Sequence, residues 1–392
     1  MRRFSANYIH TVAGNPIRNG VVGVDEEGII VEIIDHKGIE KEYAHTEFRN
    51  GIIVPGFVNA HCHTELSHLN KKVEPNTGLA GFVDQIRSHR LSGNQPNDKF
   101  IENAIIEMHR AGIVAVADIC NTTESFYAKQ NTRIHFINLI EVLGLEGEKA
   151  LWITNKALAT KLIADETLGT NNHLTPHSVY SLSSELLDML SNEISNNYIV
   201  SIHFAESPDE EKFTVQRAGG LAENYASWGL STQNAPNENP VAIVKKYLPR
   251  QAHTLFVHNT YLNNQQANEL AQHFPNAYFV LCPASNIYIE NALPDIPILT
   301  KTSVPIALGT DSLASSPTLS IFDQMQIITQ HFPSIPFTEI LKWGTMNGAK
   351  AIGLDDTLGT IELGKSPGLN LITPFDFSNN KPLPNSRVVK LI

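Results

Sequence analysis

The feature that most constrains the fold is an alternation of apolar, strand-like runs with amphipathic helical stretches. The helical stretches carry apolar residues at i, i+3 and i+4, as in "KFIENAIIEMHRA" and "SSELLDMLSNEIS". Strands that alternate with helices over about 300 residues predict an α/β fold, a (β/α)8 TIM barrel. The eight apolar runs are, in chain order, "GIIVPGFVNA", "GIVAVADI", "RIHFINLIEVLG", "HLTPHSVYSL", "NYIVSIHFAES", "HTLFVHNTYL", "AYFVLCPASN" and "VPIALGTDSL".

The two ends of the chain have a different pattern. Residues 1–54 contain short apolar runs with glycine and acidic residues between them, such as "VVGVDEEG" and "IIVEIIDHKG". Residues 354–392 return to glycine-rich strands with "LGTIELGKSPGLNLITP". These patterns are typical of short strands joined by turns. We therefore predict that 1–54 and 354–392 together form a small β-sandwich domain beside a barrel of residues 55–353.

One motif in the C-terminal segment suggests a nucleotide phosphate site. "GTIELGKS", residues 359–366, matches the phosphate-loop pattern G-x-x-x-x-G-K-[ST]. Such a loop must follow a buried strand and open a helix, whereas Pro367 and Gly368 come directly after this one. We therefore interpret the segment as a turn beside a strand.

Charge and cysteine content limit the possible partners. The net charge of −11 argues against a nucleic-acid or anionic-membrane binder. No apolar run approaches the roughly 18 residues that span a membrane, and the N-terminus lacks the apolar segment of a signal peptide. The three cysteines, Cys62, Cys120 and Cys282, lie far apart, so they are no disulfide framework. We expect a cytoplasmic protein, because this cysteine usage fits a reducing compartment.

Polar residues stand where the apolar runs end. In a TIM barrel these strand ends converge on one site, so residues far apart in the chain would meet there. Imidazole and carboxylate ligands together suit Zn, Fe, Mn or Ni, and three histidines with one aspartate leave a position for water. Against this, a single buried histidine is more often a hydrogen-bonded core residue. The strand-end residues are His61 and His63 in the first run, His177 in the fourth, His203 and Glu206 in the fifth, His258 in the sixth and Asp311 in the eighth.

These residues lie in motifs that resemble a known family. "PGFVNAHCHTE", "HFAES", "FVHN", "CPASN" and "ALGTDS" resemble, in this order, the amidohydrolase superfamily, in its branch of aminopurine deaminases and chlorohydrolases. The resemblance extends over essentially the whole chain, including "GTIELGKSPGLNLI". Gly368 and Asn370 stand where the family usually has an aspartate. The resemblance implies a metal-dependent aminohydrolase acting on carbon–nitrogen bonds of cyclic amidines.

The resemblance also implies a role for each strand-end residue. One divalent metal ion per chain, zinc first and Fe²⁺ or Mn²⁺ as alternatives, would be held by His61, His63, His203 and Asp311. His258 would hydrogen-bond the attacking water or the tetrahedral oxygen, and Asp311 would also take a proton from the water. Glu206 would carry a proton to the leaving nitrogen, although "ESPDEE" would equally suit the N-terminus of a helix.

The fourth run bears on the number of metals. Family members with two metals usually bridge them with a lysine at this strand end, and "HLTPHSVYSL" contains none. The resemblance therefore implies a single metal. It also implies that His177, in its "PH" context, contacts the substrate.

The segment after the first strand bears on the substrate. "NAHCHTELSHLNKKVEPNTGLAGFVDQIRSHR" is similar to the aminodeoxyfutalosine deaminases of menaquinone synthesis, whose substrate is an adenine nucleoside that carries a benzoate. The matching residues are Glu65, Ser67, Phe82, Arg87 and Arg90. An arginine would bind the benzoate carboxylate, and Glu65 and Ser67 would contact the ligand. The alternative is that both arginines are solvated helix charges.

Three hypotheses follow for the activity. The first is a deaminase of an adenine nucleoside of the 6-amino-6-deoxyfutalosine, adenosine or S-adenosylhomocysteine type, which releases ammonia. The second is a guanine or pterin deaminase, or an s-triazine chlorohydrolase. The third is a non-catalytic metal-containing binding protein. The expected partner is a small heterocyclic substrate, and analogy with relatives suggests a homodimer or a larger homo-oligomer.

Overall fold

A computed structural model describes residues 1–37, 43–93, 98–169 and 171–392. The strands are β1 (Arg2–Ile9), β2 (Ile17–Arg18), β3 (Val21–Val24), β4 (Ile30–Ile34), β5 (Thr46–Pro55), β6 (Phe57–Cys62), β7 (Ile113–Cys120), β8 (His135–Val142), β9 (Asn172–Pro176), β10 (Ile199–Phe204), β11 (His253–His258), β12 (Ala277–Leu281), β13 (Ile306–Leu308), β14 (Leu369–Asp376) and β15 (Lys381–Lys390). The helices are α1 (Gly78–Leu91), α2 (Asp98–Arg110), α3 (Phe126–Gln130), α4 (Ala150–Leu168), α5 (Ser184–Glu193), α6 (Pro208–Gln216), α7 (Gly220–Ser227), α8 (Pro240–Tyr247), α9 (Asn264–His273), α10 (Pro283–Glu290), α11 (Ile296–Leu299), α12 (Ile321–His331), α13 (Phe337–Trp343) and α14 (Met346–Ala351), with 3₁₀ turns at Thr64–Leu69 and Gly147–Lys149.

Eight parallel strands form the barrel. The strands pair in the orders β6-β7-β8-β9 and β10-β11-β12-β13. Parallel bridges join these two groups at both ends, between Ser178 and His203 and between Cys62 and Asp311. The predicted TIM barrel is therefore confirmed. Each of the two bridges includes one polar strand-end residue, His203 in the first and Asp311 in the second.

The barrel strands are buried on both faces, which explains their continuous apolar sequences. All eight residues of β7 are buried, and so are all six of β6. The outer helices present one apolar face to them. In α5, Leu186, Leu187 and Leu190 point inward, and the Ser183 side chain caps the helix by accepting a hydrogen bond from the Leu186 N–H. Within the part of the chain that is described, no helix has the length and apolar character needed to cross a membrane.

The two chain ends build a small β domain. Its strands form one sheet in the order β15-β14-β5-β1-β3-β4, with β2 paired to β1. The strand β14 pairs antiparallel with β5, so that Leu369 faces Pro55 and Ile372 faces Ile52. The sheet encloses its own apolar cluster, which includes Phe4 and Val22. The small β domain is thus confirmed, while the boundaries at residues 54 and 353 stay a prediction.

Two segments that the sequence analysis treated as single elements are each divided near a glycine. The run "GIIVPGFVNA" contains the end of β5 and the start of β6, which belong to different domains. Gly56 separates them, and a Cβ there would overlap the Val114 side chain. The stretch "FTEILKWGTMNGAKAIG" forms two helices, α13 and α14, which meet at Gly344, where a Cβ would overlap Met325.

The phosphate-loop-like segment lacks the helix that a phosphate-binding loop must open. Residues 359–366 form bends and turns between α14 and β14, and no helix opens after them. The Lys365 ammonium donates to the Thr360 hydroxyl and to the Asp355 carbonyl. The interpretation of the segment as a turn is confirmed.

Candidate active site

Four buried side chains meet at the carboxyl end of the barrel. His61 lies on β6, His63 follows it, His203 lies on β10, and Asp311 follows β13. The Nε2 atom of His63 lies 3.1 Å from Nε2 of His61, 3.2 Å from Nε2 of His203 and 3.5 Å from Oδ1 of Asp311. One donor atom from each residue lies within 4.8 Å of all the others. The structure therefore brings together the four residues that the sequence nominated as metal ligands.

Hydrogen bonds to the other polar atoms of these side chains orient the potential ligand atoms toward one another. The His203 Nδ1–H donates to the His177 carbonyl at 2.9 Å, which leaves the Nε2 lone pair facing the cluster. Oδ2 of Asp311 accepts from the hydroxyls of Ser285 and Ser315, which leaves Oδ1 for the cluster. Burial lowers the pKa of His63 to about 3, so its imidazole is neutral. Imidazole lone pairs and a carboxylate that converge in this way fit a divalent cation.

Backbone strain accompanies the site. His258 and Asp311 have φ angles of +76° and +58°, in the left-handed region that side-chain-bearing residues rarely adopt. Such residues cost on the order of 1–3 kcal/mol and persist where surrounding contacts hold them. The Asp311 N–H donates to the His61 carbonyl, and the Asn259 N–H donates to the Phe204 carbonyl. The conformation turns both side chains into the barrel mouth.

Glu206 lies between β10 and α6 and points into the same mouth. Its Oε1 is 3.6 Å from Nε2 of His258. The helix-capping role belongs to other residues, because Ser207 and Glu210 form the capping box of α6. Burial raises the pKa of Glu206 well above its usual range, and the charges of Asp311 and Glu210 add to the effect. Burial therefore favours the protonated form of this carboxyl.

A cavity of about 290 Å³ opens above the four clustered residues. Its polar wall includes His63, His203, Glu206, His258 and Asp311. Most of the remaining wall is apolar, as expected for a site that encloses a heterocycle. The apolar and aromatic lining consists of Leu66, Leu79, Phe82, Val83, Ile86, Leu91, Leu143, Leu145, Tyr180, Tyr225, Trp228 and Leu230.

His177 also lines the cavity. Its ring lies 4.7 Å from the ring of His203, measured between centroids, with 31° between the two planes. Its Nδ1 is 2.9 Å from the hydroxyls of both Ser178 and Ser181, which fix the ring orientation. The structure places this residue where a bound ligand would touch it.

Arg87 and Arg90, both on helix α1, also line the cavity. The Arg87 guanidinium stacks over the Trp228 ring at 4.7 Å, and Nη2 of Arg90 donates to Oδ1 of Asn121 at 3.1 Å. Arg87 is half-buried and Arg90 is exposed. Both arginines therefore border the cavity, and Arg87 is held there by an aromatic partner.

Glu65 and Ser67 lie elsewhere. The Glu65 carboxylate accepts hydrogen bonds from the backbone N–H groups of Asn121 and Thr122, and it lines a neighbouring cavity. The Ser67 hydroxyl donates to the Thr64 carbonyl at 2.7 Å and is buried. Neither is among the described residues that line the main cavity. The chain after His63 coils into a 3₁₀ turn, in which the Glu65 carboxylate is directed toward the loop after β7. A substrate contact by Glu65 or Ser67 stays a prediction.

Replacing Glu65 with glutamine tests whether this carboxylate contacts a ligand. The amide would present N–H donors to backbone donors, so we expect the free energy of unfolding to fall by about 1–3 kcal/mol. Metal content and KM should stay at the wild-type values, as measured by elemental analysis and steady-state kinetics. A several-fold rise in KM at unchanged metal content would instead place Glu65 in contact with the substrate.

Some residues of the site were missed by sequence reasoning. Glu141, near the end of β8, is buried in the cavity wall. It stands near the end of the third apolar run, so the rule that found the histidines would have found it too. Tyr225 and Trp228 come from α7 and the residue after it, between β10 and β11, and no strand-end pattern points to them.

A buried ion pair supports the loop that carries His63. The Lys129 ammonium lies 2.6 Å from Oδ2 of Asp118, and both side chains are almost fully buried. Asp118 in turn accepts hydrogen bonds from the N–H and the hydroxyl of Thr64. Lys129 also donates to Oδ1 of Asn138. The residue after His63 is thus fixed by a carboxylate whose charge is compensated from α3.

We expect Lys129→Met to lower the free energy of unfolding by about 3–5 kcal/mol, because the Asp118 charge would remain buried without its partner. Chemical denaturation measures the change. The matched control is Lys149→Met, which removes an ion pair between the exposed Lys149 and Glu146 and should leave the free energy of unfolding almost unchanged. Adding Asp118→Asn to Lys129→Met should recover part of the loss. Equal stability of the two lysine variants would contradict the assigned role.

Comparison with known proteins identifies the family. A family model described as the amidohydrolase family matches residues 52–390, which is most of the chain. The chain belongs to the amidohydrolase family. It is a hydrolase that acts on carbon–nitrogen bonds, as the strand-end motifs predicted.

Individual amidohydrolases resemble the chain over most of its length. An adenosine deaminase of Helicobacter pylori is 26% identical over 360 residues, which cover 89% of this chain and 86% of that protein. The structure of Helicobacter pylori aminofutalosine deaminase in complex with methylthio-coformycin has a TM-score of 0.83 at 21% identity, over 97% of this chain and 94% of that one. An adenosine deaminase from Xanthomonas campestris with bound zinc has a TM-score of 0.73 at 19% identity, over 98% and 87%. These structures share the fold.

Proposed function

We propose that the chain is a zinc-dependent deaminase of an adenine nucleoside. The observation that carries the proposal is the position of Glu206. This buried carboxyl faces a mostly apolar cavity, 3.6 Å from His258 and beside the cluster of potential metal ligands. Hydrolytic removal of a ring amino group needs a nucleophilic water and a proton donor in the same dry pocket, and this arrangement offers both.

The metal would be held by His61, His63, His203 and Asp311. A zinc ion held there would supply Lewis-acid chemistry, which makes water nucleophilic near neutral pH. The His203 Nδ1–H bond to the His177 carbonyl and the serine hydroxyls on Asp311 keep the ligand atoms oriented. Three imidazoles and one carboxylate are a donor set that zinc accepts, and the same argument leaves Fe²⁺ and Mn²⁺ as alternatives.

The protein's own residues would move the protons. Glu206, whose protonated form is favoured by burial, would donate a proton to the ring nitrogen next to the carbon that loses its amino group. The water oxygen bonds to that carbon; one of its protons would pass to Asp311 and on to the amino group, and the other would restore the proton on Glu206 as the carbon–nitrogen bond breaks and ammonia leaves. Burial lowers the pKa of His258 to about 3, so its neutral imidazole would hydrogen-bond the new oxygen rather than protonate it. His177, whose ring lies beside that of His203, would contact the heterocycle.

We propose 6-amino-6-deoxyfutalosine as the first substrate to test, with adenosine, methylthioadenosine and S-adenosylhomocysteine after it. The names of the similar proteins support an adenine nucleoside, since they include an adenosine deaminase and an aminofutalosine deaminase. Arg87 and Arg90 support a substrate with an anionic substituent, because both guanidinium groups border the cavity. Such an activity would belong to menaquinone synthesis. The cytoplasmic location and the homo-oligomeric state stay predictions.

The test is a deamination assay on zinc-loaded protein, with 6-amino-6-deoxyfutalosine and adenosine compared side by side. Ammonia release and the shift of the purine absorbance measure turnover. A strong preference for the futalosine compound would support the specific substrate, and comparable rates would indicate a broader adenosine-type deaminase.

Two other outcomes would replace the proposal. Ammonia or chloride from guanine, pterins or s-triazines, with none from adenine nucleosides, would select the second hypothesis. One metal per chain without turnover of any heterocycle would indicate a binding protein.

A further inference from the structure

The indole of Trp228 forms part of the cavity wall and is held there by helix α1. Its Nε1–H donates a hydrogen bond to Oδ1 of Asp84 at 2.9 Å. The central carbon of the Arg87 guanidinium lies over the ring, 4.7 Å from its centroid. The Tyr225 ring packs against the indole in a T-shaped arrangement, with 5.5 Å between centroids and 81° between the planes. Polar and aromatic contacts together therefore fix the orientation of the indole.

Asp84 and Arg87 contact the indole from the same side of α1. Residues three apart in a helix are neighbours on its surface, so the carboxylate and the guanidinium reach one side chain. Trp228 and Arg87 both line the cavity, and both are half-buried, so part of each side chain stays accessible to a ligand. Asp84 is not among the described residues that line the cavity. Its effect on a ligand would therefore pass through Trp228.

The Arg87 guanidinium has hydrogen-bond donors left for a ligand. It makes no hydrogen bond and no ion pair with any residue that the structure describes, and the indole is its contact. A guanidinium carries five N–H donors in a fixed plane. The arginine side chain has many rotamers, so a displaced indole would let the guanidinium leave the cavity wall. The position of Arg87 therefore depends on that of Trp228.

A second contact joins the same two segments without reaching the cavity. Nδ2 of Asn224, on α7, donates to the Ala80 carbonyl of α1 at 2.7 Å. Neither residue is among those described residues that line the cavity. Asn224 is therefore a matched control for Asp84, because its loss weakens the contact between α1 and α7 and removes nothing from the cavity wall.

We propose that Asp84 is a positioning residue for substrate binding: its hydrogen bond fixes the Trp228 indole, and the indole holds Arg87, so that both side chains meet the bound nucleoside at the cavity wall. The proposal rests on the proposed deaminase function. It concerns binding rather than the chemical step, because Asp84 lies outside the group of residues that surround the reacting atoms. A contact that is equally strong in the ground state and the transition state changes KM and leaves kcat unchanged.

The experiment measures steady-state kinetics of zinc-loaded variants with 6-amino-6-deoxyfutalosine or adenosine, whichever the wild type turns over faster. Asp84→Ala removes the acceptor and should raise KM by about three- to tenfold, the effect of one lost hydrogen bond, with kcat near the wild-type value. Asp84→Asn keeps an amide oxygen as acceptor and should restore most of the wild-type KM. Trp228→Phe removes the donor and should raise KM as Asp84→Ala does. The control Asn224→Ala should keep the wild-type KM.

The double variant tests whether Asp84 and Trp228 act through one bond. Each single change removes the same hydrogen bond, so Asp84→Ala combined with Trp228→Phe should raise KM no further than either change alone. Effects that multiply in the double variant would show that the two residues act independently, which would contradict the proposal.

The other contrary outcomes separate this proposal from the proposed function. No turnover of any adenine nucleoside by the wild type would overturn the proposed function and the role of Asp84 with it. Turnover with a wild-type KM in Trp228→Phe would overturn the role of Asp84 alone, even if Asp84→Ala failed to fold. An equal rise of KM in Asn224→Ala, or a loss of kcat without a change of KM in Asp84→Ala, would show that Asp84 only stabilises the contact between α1 and α7.

Discussion

Glu206→Gln is expected to lower kcat for deamination by about 10²- to 10⁴-fold, the range typical of a lost general acid or base. Glutamine has nearly the same shape, so the cavity and the neighbouring His258 should keep their positions. It cannot pass a proton to the substrate ring and take another from the water. Steady-state kinetics on the best nucleoside substrate, with metal content measured in parallel, tests the prediction.

The matched control for Glu206 is Glu211→Gln, which changes an exposed carboxylate on α6 and should leave the kinetics unchanged. A Glu206→Gln enzyme with wild-type kcat would remove this residue from proton transfer. A variant that has lost its metal would show instead that Glu206 maintains the site structure.

Asp311→Asn is expected to abolish tight metal binding and, with it, deaminase activity. Outer-shell residues of metal sites typically change affinity or activity by about 10- to 100-fold, and a direct ligand should cost more. Asparagine can still accept hydrogen bonds from Ser285 and Ser315, so the loop should keep its conformation while the ligand charge is lost. Elemental analysis and thermal unfolding with and without added zinc measure the effect.

Removal of the metal from the wild type gives a second measure of the same site. A chelator should lower the unfolding temperature of the wild type, and added zinc should restore it, because a ligand that binds only the folded state stabilises it. The unfolding temperature of Asp311→Asn should not respond to zinc, whereas the exposed control Asp188→Asn should behave like the wild type. A zinc response in Asp311→Asn equal to that of the wild type would exclude Asp311 as a ligand.

The barrel was predictable because its strands are buried on both faces. Each parallel strand is therefore apolar along its whole length, as in β7, and each one could be recognised without knowledge of its neighbours. The boundaries were less predictable. Apolar content alone does not distinguish β5 from β6, which lie on either side of Gly56, a position with no room for a Cβ against Val114.

Site residues at strand ends could be predicted from the sequence, whereas side chains whose positions depend on loop conformation could not. His61, His203 and Asp311 converge because parallel strands end at one rim. Glu65 follows His63 by two positions, yet its carboxylate turns away to bind the backbone of Asn121 and Thr122. Trp228 reaches the cavity from the segment between β10 and β11, and no local pattern encodes such a tertiary contact.

The pairing of β14 with β5 has a consequence for the order of synthesis. The strand β5 emerges from the ribosome before the barrel, and its partner β14 emerges after all eight barrel strands. Until β14 has been synthesised, the backbone N–H and C=O groups on one edge of β5 lack their partners. Such an edge can pair with strands of other chains. The sheet of the small domain can therefore be completed only after the last barrel strand has been synthesised, and β14 and β15 are the strands that complete it.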